Sequence, residues 1–135
     1  MTSPISPDDL LRSALNALAL RQRTLANNVA NADTPGFKSS DVRFEQLLSQ
    51  AMQGQAKAVS PARTHAQHLG GSARGPVEGE VVTSQNTTLR NDGNNVDIDQ
   101  QMVRLAETAI TYSALTQLAA SRLALLKSVI SEGQR

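Results

Sequence analysis

The sequence predicts an all-α chain: two long terminal helices packed as a coiled-coil-like hairpin, with a short helix and a long irregular segment between them. Three observations carry this. Apolar residues recur at alternating steps of three and four near both ends, the pattern of a helix seam. Aromatic residues are only 2% of the 135, with Phe37, Phe44 and Tyr112 the whole set, so the chain lacks the side chains that dominate most cores. Residues 54–95 are rich in Gln, Ser, Thr, Gly and Asn and poor in large apolar residues. The chain therefore divides into 1–53 (first helix, turn, short helix), 54–95 (irregular, ordered by partners) and 96–135 (last helix).

The first helix is expected from about Pro7 to Asn31. Ser6 or Asp8 can cap it, Pro7 suits its first turn, and Asp8 and Asp9 suit its positive end. Leu11, Leu15, Leu18, Gln22, Leu25, Val29 and Ala32 form a heptad line interrupted once, at Gln22. Asn27, Asn28 and Asn31 crowd its end, where asparagine is a poor helix former. Two readings stay open for them: a frayed polar terminus, or amides that bond a neighbouring chain and fix its register. Pro35 drives Thr34 out of the helical region, and Pro35-Gly36 suits the centre of a type II turn. Phe37 follows as an apolar anchor.

Beyond the turn, Phe44, Leu47, Leu48 and Met52 recur at helical spacing. They predict a short helix over about 42–53, capped by Ser40 or Asp41. The 54–95 stretch is broken by glycines and Pro76, and Val81-Val82-Thr83 is a candidate strand. Asn91-Asp92-Gly93-Asn94-Asn95 is a turn signal, and Asp97 can cap the last helix. In that helix Met102, Leu105, Ala109, Tyr112, Thr116, Ala119, Leu123, Leu126 and Ile130 form one seam. Val103, Ile110, Leu115, Leu118, Leu125 and Val129 form a second line. Two adjacent seams predict burial on more than one side. The first helix covers one of them, and the remainder is an assembly surface.

Function classes narrow by exclusion. Net charge is +1, so no broad field draws in nucleic acid, and no aromatics are spaced for base stacking. Cysteine is absent, which removes disulfides and thiolate chemistry. No run of about 18 apolar residues is present to span a membrane, and the start lacks the basic and apolar regions of a secretory signal. His65 and His68 are spaced by three but have no carboxylate or cysteine nearby, so a metal is not expected. Asp92, Asn94, Asp97 and Asp99 lack the glycine and the terminal acid of a calcium loop and read as a turn plus a cap. No nucleophile–base set, carboxylate pair or phosphate loop assembles, so neither enzymatic activity nor a cofactor is expected.

The stretch Ala26-Asn-Asn-Val-Ala-Asn-Ala-Asp-Thr-Pro-Gly-Phe-Lys38 resembles the N-terminal signature of the bacterial flagellar rod and hook proteins. The resemblance covers roughly the first 50 and last 45 residues, and the short chain looks most like the proximal-rod members. It implies a structural subunit of the basal-body rod that polymerises helically through its terminal helices to transmit torque. It implies a periplasmic location, reached by flagellar type III export without a cleaved signal peptide. The implied partners are the chain itself, other rod proteins, membrane-ring and adaptor proteins, and the export gate, with no nucleic acid and no membrane span. Subunit contacts are expected at Leu18, Leu25, Asn28, Val29, Asn31, Leu105, Tyr112, Leu115, Leu118 and Leu125. The signature turn is Thr34, Pro35, Gly36 and Phe37. Phe44 and Leu48 fit the pattern by which such proteins are thought to meet the export gate. The alternative is a cytoplasmic helical regulator or export chaperone that binds one partner through the same seams.

Overall fold

The computed structural model describes residues 6–52 and 77–133. Along the chain come α1 (Pro7–Ala30), β1 (Ser40–Arg43), α2 (Glu45–Met52), β2 (Glu80–Thr83) and α3 (Ile98–Glu132). The two long helices are as predicted. Asp8 near the start of α1 pairs with Arg122, and Asn28 near its end bonds Gln101, so α1 and α3 run antiparallel. The small sheet amends the all-α expectation.

Both long helices begin at their predicted caps. The Ser6 hydroxyl accepts from the Asp9 N–H at 3.2 Å, and an Asp97 carboxylate oxygen accepts from Gln100 N–H at 3.2 Å. The type II turn also forms. Gly36 has φ 71°, and Phe37 N–H reaches the Thr34 carbonyl at 3.3 Å. Gly93 (φ 83°) closes the second turn by donating to the Arg90 carbonyl. Positive φ costs glycine little and other residues more.

The predicted helix over 42–53 starts late. Ser40 and Asp41 do not cap it; they belong to β1, which pairs antiparallel with β2 in the register Ser40↔Thr83 to Arg43↔Glu80. Local propensity lost to tertiary pairing with the β-branched Val81-Val82-Thr83 run, the candidate strand of the sequence. Val42 turns inward, 2% exposed, and with Ala17 and Phe44 forms a small core flanked by Ala14, Leu20, Leu48 and Val77. Gly79 lets the chain pass close over this core: a Cβ there would stand 2.8 Å from Val42 Cγ1.

The irregular 54–95 expectation is corrected for residues 77–95, which are bonded within the chain. Besides β2, Ser84 N–H donates to the Ser39 carbonyl, and the Lys38 ammonium donates to the carbonyls of Thr87 and Gly93. His65 and His68 lie outside the described residues.

Candidate assembly surface

Side chains of α1 replace a third strand beside β1. The Asn28 amide donates to the Ser40 carbonyl at 2.7 Å and accepts from Ser40 N–H at 3.0 Å, as a strand neighbour would. Two turns earlier on the same helical face, Arg21 donates to the Val42 carbonyl at 2.7 Å. The outer edge of β1 is therefore closed to further strands, a standard hazard of exposed edges. Asn28 also donates to Gln101 Oε1 at 2.9 Å, tying α1 to α3. Asn28 is 1% exposed and Gln101 is buried with it.

Asn94, fully buried, ties down the turn that follows α1. The Asn94 amide nitrogen lies within hydrogen-bond reach of the carbonyls of Asn31, Ala32 and Thr34, while its oxygen accepts from Val96 N–H. Gly36 N–H meets the Asp92 carbonyl in the same knot. Asn31 bonds locally, donating to the Asn27 carbonyl and accepting from the Thr34 hydroxyl.

Arg21 makes a two-pronged ion pair with Glu45, at 2.6 and 2.7 Å. The hydrogen bond from Arg21 holds the Glu45 carboxyl below the usual range, against the opposing effect of burial. The same bond raises the Arg21 guanidinium, and burial opposes it there too. Asp41 bridges to Arg104 at 3.3 Å, so charged pairs link β1 to both helices.

The sequence assigns Asn28 to a contact between subunits; the structure uses its amide inside the chain. Leu18 and Leu25 are likewise buried within the chain, and Val29 and Asn31 are half-buried. Of the turn residues, Thr34, Pro35 and Gly36 are exposed and Phe37 is half-buried. Phe44 is a core residue, 6% exposed, with Leu48 packed against its cluster. In the folded chain it presents no ring to an export gate.

The seams of α3 also differ from the predicted lines. The face turned to α1 carries Gln101, Leu105, Thr108, Leu115, Ala119 and Arg122, with Tyr112 at its margin. Three of these are polar, which is why a search for apolar spacing passes over them. Thr108 sits there because its hydroxyl donates to the Arg104 carbonyl. Leu115 belongs to this inner face, not to the second line. Gln101, Asn94 and Arg21 are the residues the sequence reading missed; the turn after a helix and a strand edge demand such donors, but nothing in the sequence says which residue supplies them.

What remains bare is the far side of α3, where Val103, Ile110, Leu118, Leu125 and Val129 are each more than half exposed. Residues 108–121 contain no charge. The exposed hydroxyls of Thr111, Thr116 and Ser121 donate to carbonyls of their own helix. Over residues 108–121 this face can lose water with these three hydroxyls paired and no charge buried; Glu107 lies on the same side just before that stretch. Among the described residues no metal-binding cluster forms, and no helix is long and apolar enough to cross a membrane.

Such a hairpin, with the buried polar side-chain groups among its described residues bonded within the chain except Arg21 Nε, and an apolar back uncharged over residues 108–121, defines a helical subunit built for side-by-side assembly. The family described as "Flagella basal body rod protein" matches residues 9–38, which hold most of α1 and the signature turn. The flagellar basal body rod protein FlgB of Bacillus subtilis is 32% identical, over 92% of each chain. That of Borrelia hermsii is 38% identical, over 83% of this chain and 86% of its own. That of Escherichia coli is 31% identical, over 90% and 91%. The chain belongs to the FlgB family of flagellar basal body rod proteins, which are structural proteins and not enzymes.

Proposed function

We propose that this chain is a torque-transmitting subunit of the proximal rod, packed helically against copies of itself and other rod proteins. The carrying observation is the bare apolar back of α3, uncharged over residues 108–121. Leu118 and Leu125, expected at subunit contacts, lie on it, and Leu105, Tyr112 and Leu115 support it from the α1 side. Leu18, Leu25 and Asn28 serve that contact indirectly, by holding α3 in place. The periplasmic location, uncleaved export and contacts with ring, adaptor and export-gate proteins follow from the resemblance and belong to this proposal. Any gate contact by Phe44 and Leu48 requires the chain before it folds, since folding buries the ring. The regulator or chaperone alternative finds no support among the relatives, which carry rod-protein names.

The test is Leu118→Asp. It places a carboxylate on the surface to be buried, which costs several kcal/mol if no partner is supplied. Swimming and copurification of the chain with basal bodies are expected to be lost, while the purified variant keeps its helicity. Normal swimming would overturn the assignment of this face. Recovery of the wild-type chain only from the soluble fraction would favour the regulator.

A further inference from the structure

The last helix outruns the first. Asp8, in the first turn of α1, pairs with Arg122, and residues 123–132 of α3 continue about 15 Å past that point. Leu126 stands on the line that carries Thr108 and Ala119, so it faces the side α1 covers further down. Leu123 and Ile130 flank it. All three are 47–67% exposed and border a shallow depression of about 470 Å³. This front patch continues the α1–α3 interface beyond the reach of α1. The second bare patch, with Val103, Ile110 and Leu118, lies on the back of the same helix and lower down.

The two patches suit each other better than either suits the rest of the surface. The exposed residues of α1 include Arg12, Asn16, Arg23 and Asn27, which are no complement to leucines. Two front patches packed antiparallel on one another would bring Lys127 of both copies together. The back stripe is uncharged over residues 108–121 and carries exposed Glu107 between Val103 and Ile110, an anion for Lys127 to meet, while Arg104 beside it is already paired with Asp41.

We infer that the overhang of α3 in one copy is covered by the back of α3 in the next copy. This rests on the rod reading above and names its partner surface. The contact joins two different patches, so it is heterologous. Each added copy leaves one patch open, and the assembly grows instead of closing.

The chain contains no cysteine, which makes a disulfide test clean. Leu126→Cys is combined in full-length chains with Val103→Cys, Ile110→Cys or Leu118→Cys. Basal bodies are isolated, treated with an added oxidant and run on non-reducing gels. At least one pair is expected to give a ladder of dimers, trimers and higher species, with Leu126→Cys alone remaining monomeric. A pair that stops at a closed dimer, or dimers from Leu126→Cys alone, would make the contact two-fold and overturn the inference. A disulfide between Leu126→Cys and a different rod protein would give the overhang to that protein and overturn it too. Swimming of each strain checks that the variants fold and assemble. Basal bodies that contain the chain but give no ladder sink this contact and leave the rod reading standing. Absence of the wild-type chain from basal bodies sinks both.

Discussion

Replacing Asn94 by alanine tests the knot that positions the assembly helix. The structure allows the magnitude to be worked group by group. The Asn31 carbonyl keeps a bond from Thr34 N–H, and the Thr34 carbonyl keeps one from Phe37 N–H. The Ala32 carbonyl and Val96 N–H are left with no other bond shown, and both of their bonds to Asn94 are buried. A buried polar group left unpaired costs about 1–3 kcal/mol, so the pair costs about 2–5 kcal/mol once some water entry is allowed. That is a large part of the stability of a small domain. The assay is urea unfolding followed by circular dichroism, with the midpoint falling at an unchanged slope. Asn95→Ala is the control. Its amide nitrogen bonds, to the Ser84 carbonyl and the Thr87 hydroxyl, are exposed and its oxygen accepts from Ser39 N–H in a part-buried bond, so with no fully buried group orphaned the loss is expected to be smaller. A change within about 0.5 kcal/mol for Asn94→Ala, the range of an ordinary surface substitution, would refute the claim that this amide holds the turn after α1.

Phe44→Ala removes the one ring of the core and is expected to cost about 3–5 kcal/mol; cellular and secreted amounts should fall together, and a fall in secretion at constant cellular amount would restore the gate contact. Gly79→Ala places a Cβ 2.8 Å from Val42 Cγ1 and should cost about 1–3 kcal/mol by overpacking; an unchanged melting temperature would show that the close approach is not needed. Glu45 has a lowered folded pKa, so its stabilisation is present above the ordinary carboxylate value and is lost as pH falls through the folded one. The stability gap between wild type and Glu45→Gln should therefore be modest at pH 7, because Glu45 is two-thirds exposed. It should close in acid, and a gap independent of pH would contradict the pairing with Arg21.

Much of the fold was legible because local rules governed it. Ser6, Asp97, Gly36 and Gly93 obey cap and turn chemistry that acts within a few residues. The length of both helices followed from periodicity. The sheet was not legible, since Ser40–Arg43 reads as the start of a helix until Glu80–Thr83 arrives from far along the chain. The internal seam of α3 was misassigned because Gln101, Thr108 and Arg122 hold positions that apolar spacing assigns to neighbours. Asn28 illustrates the limit most clearly. A buried asparagine that fixes register was a sound expectation, but its partners are Ser40 and Gln101 of the same chain, which no periodicity could name. The exposed back of α3 was legible in outline because an uncharged four-turn stretch has few uses on a surface facing water.

The central claim is that this hairpin is a rod subunit whose α3 back is buried against a neighbour. A cryo-electron map of basal bodies from a strain that swims on this chain tests it directly. The account predicts antiparallel α1–α3 density in the rod, with Ile110 and Leu118 covered by an adjacent subunit and Asn28 bonded within its own. Density showing these two residues facing open solvent, or a rod that lacks this chain, would contradict it.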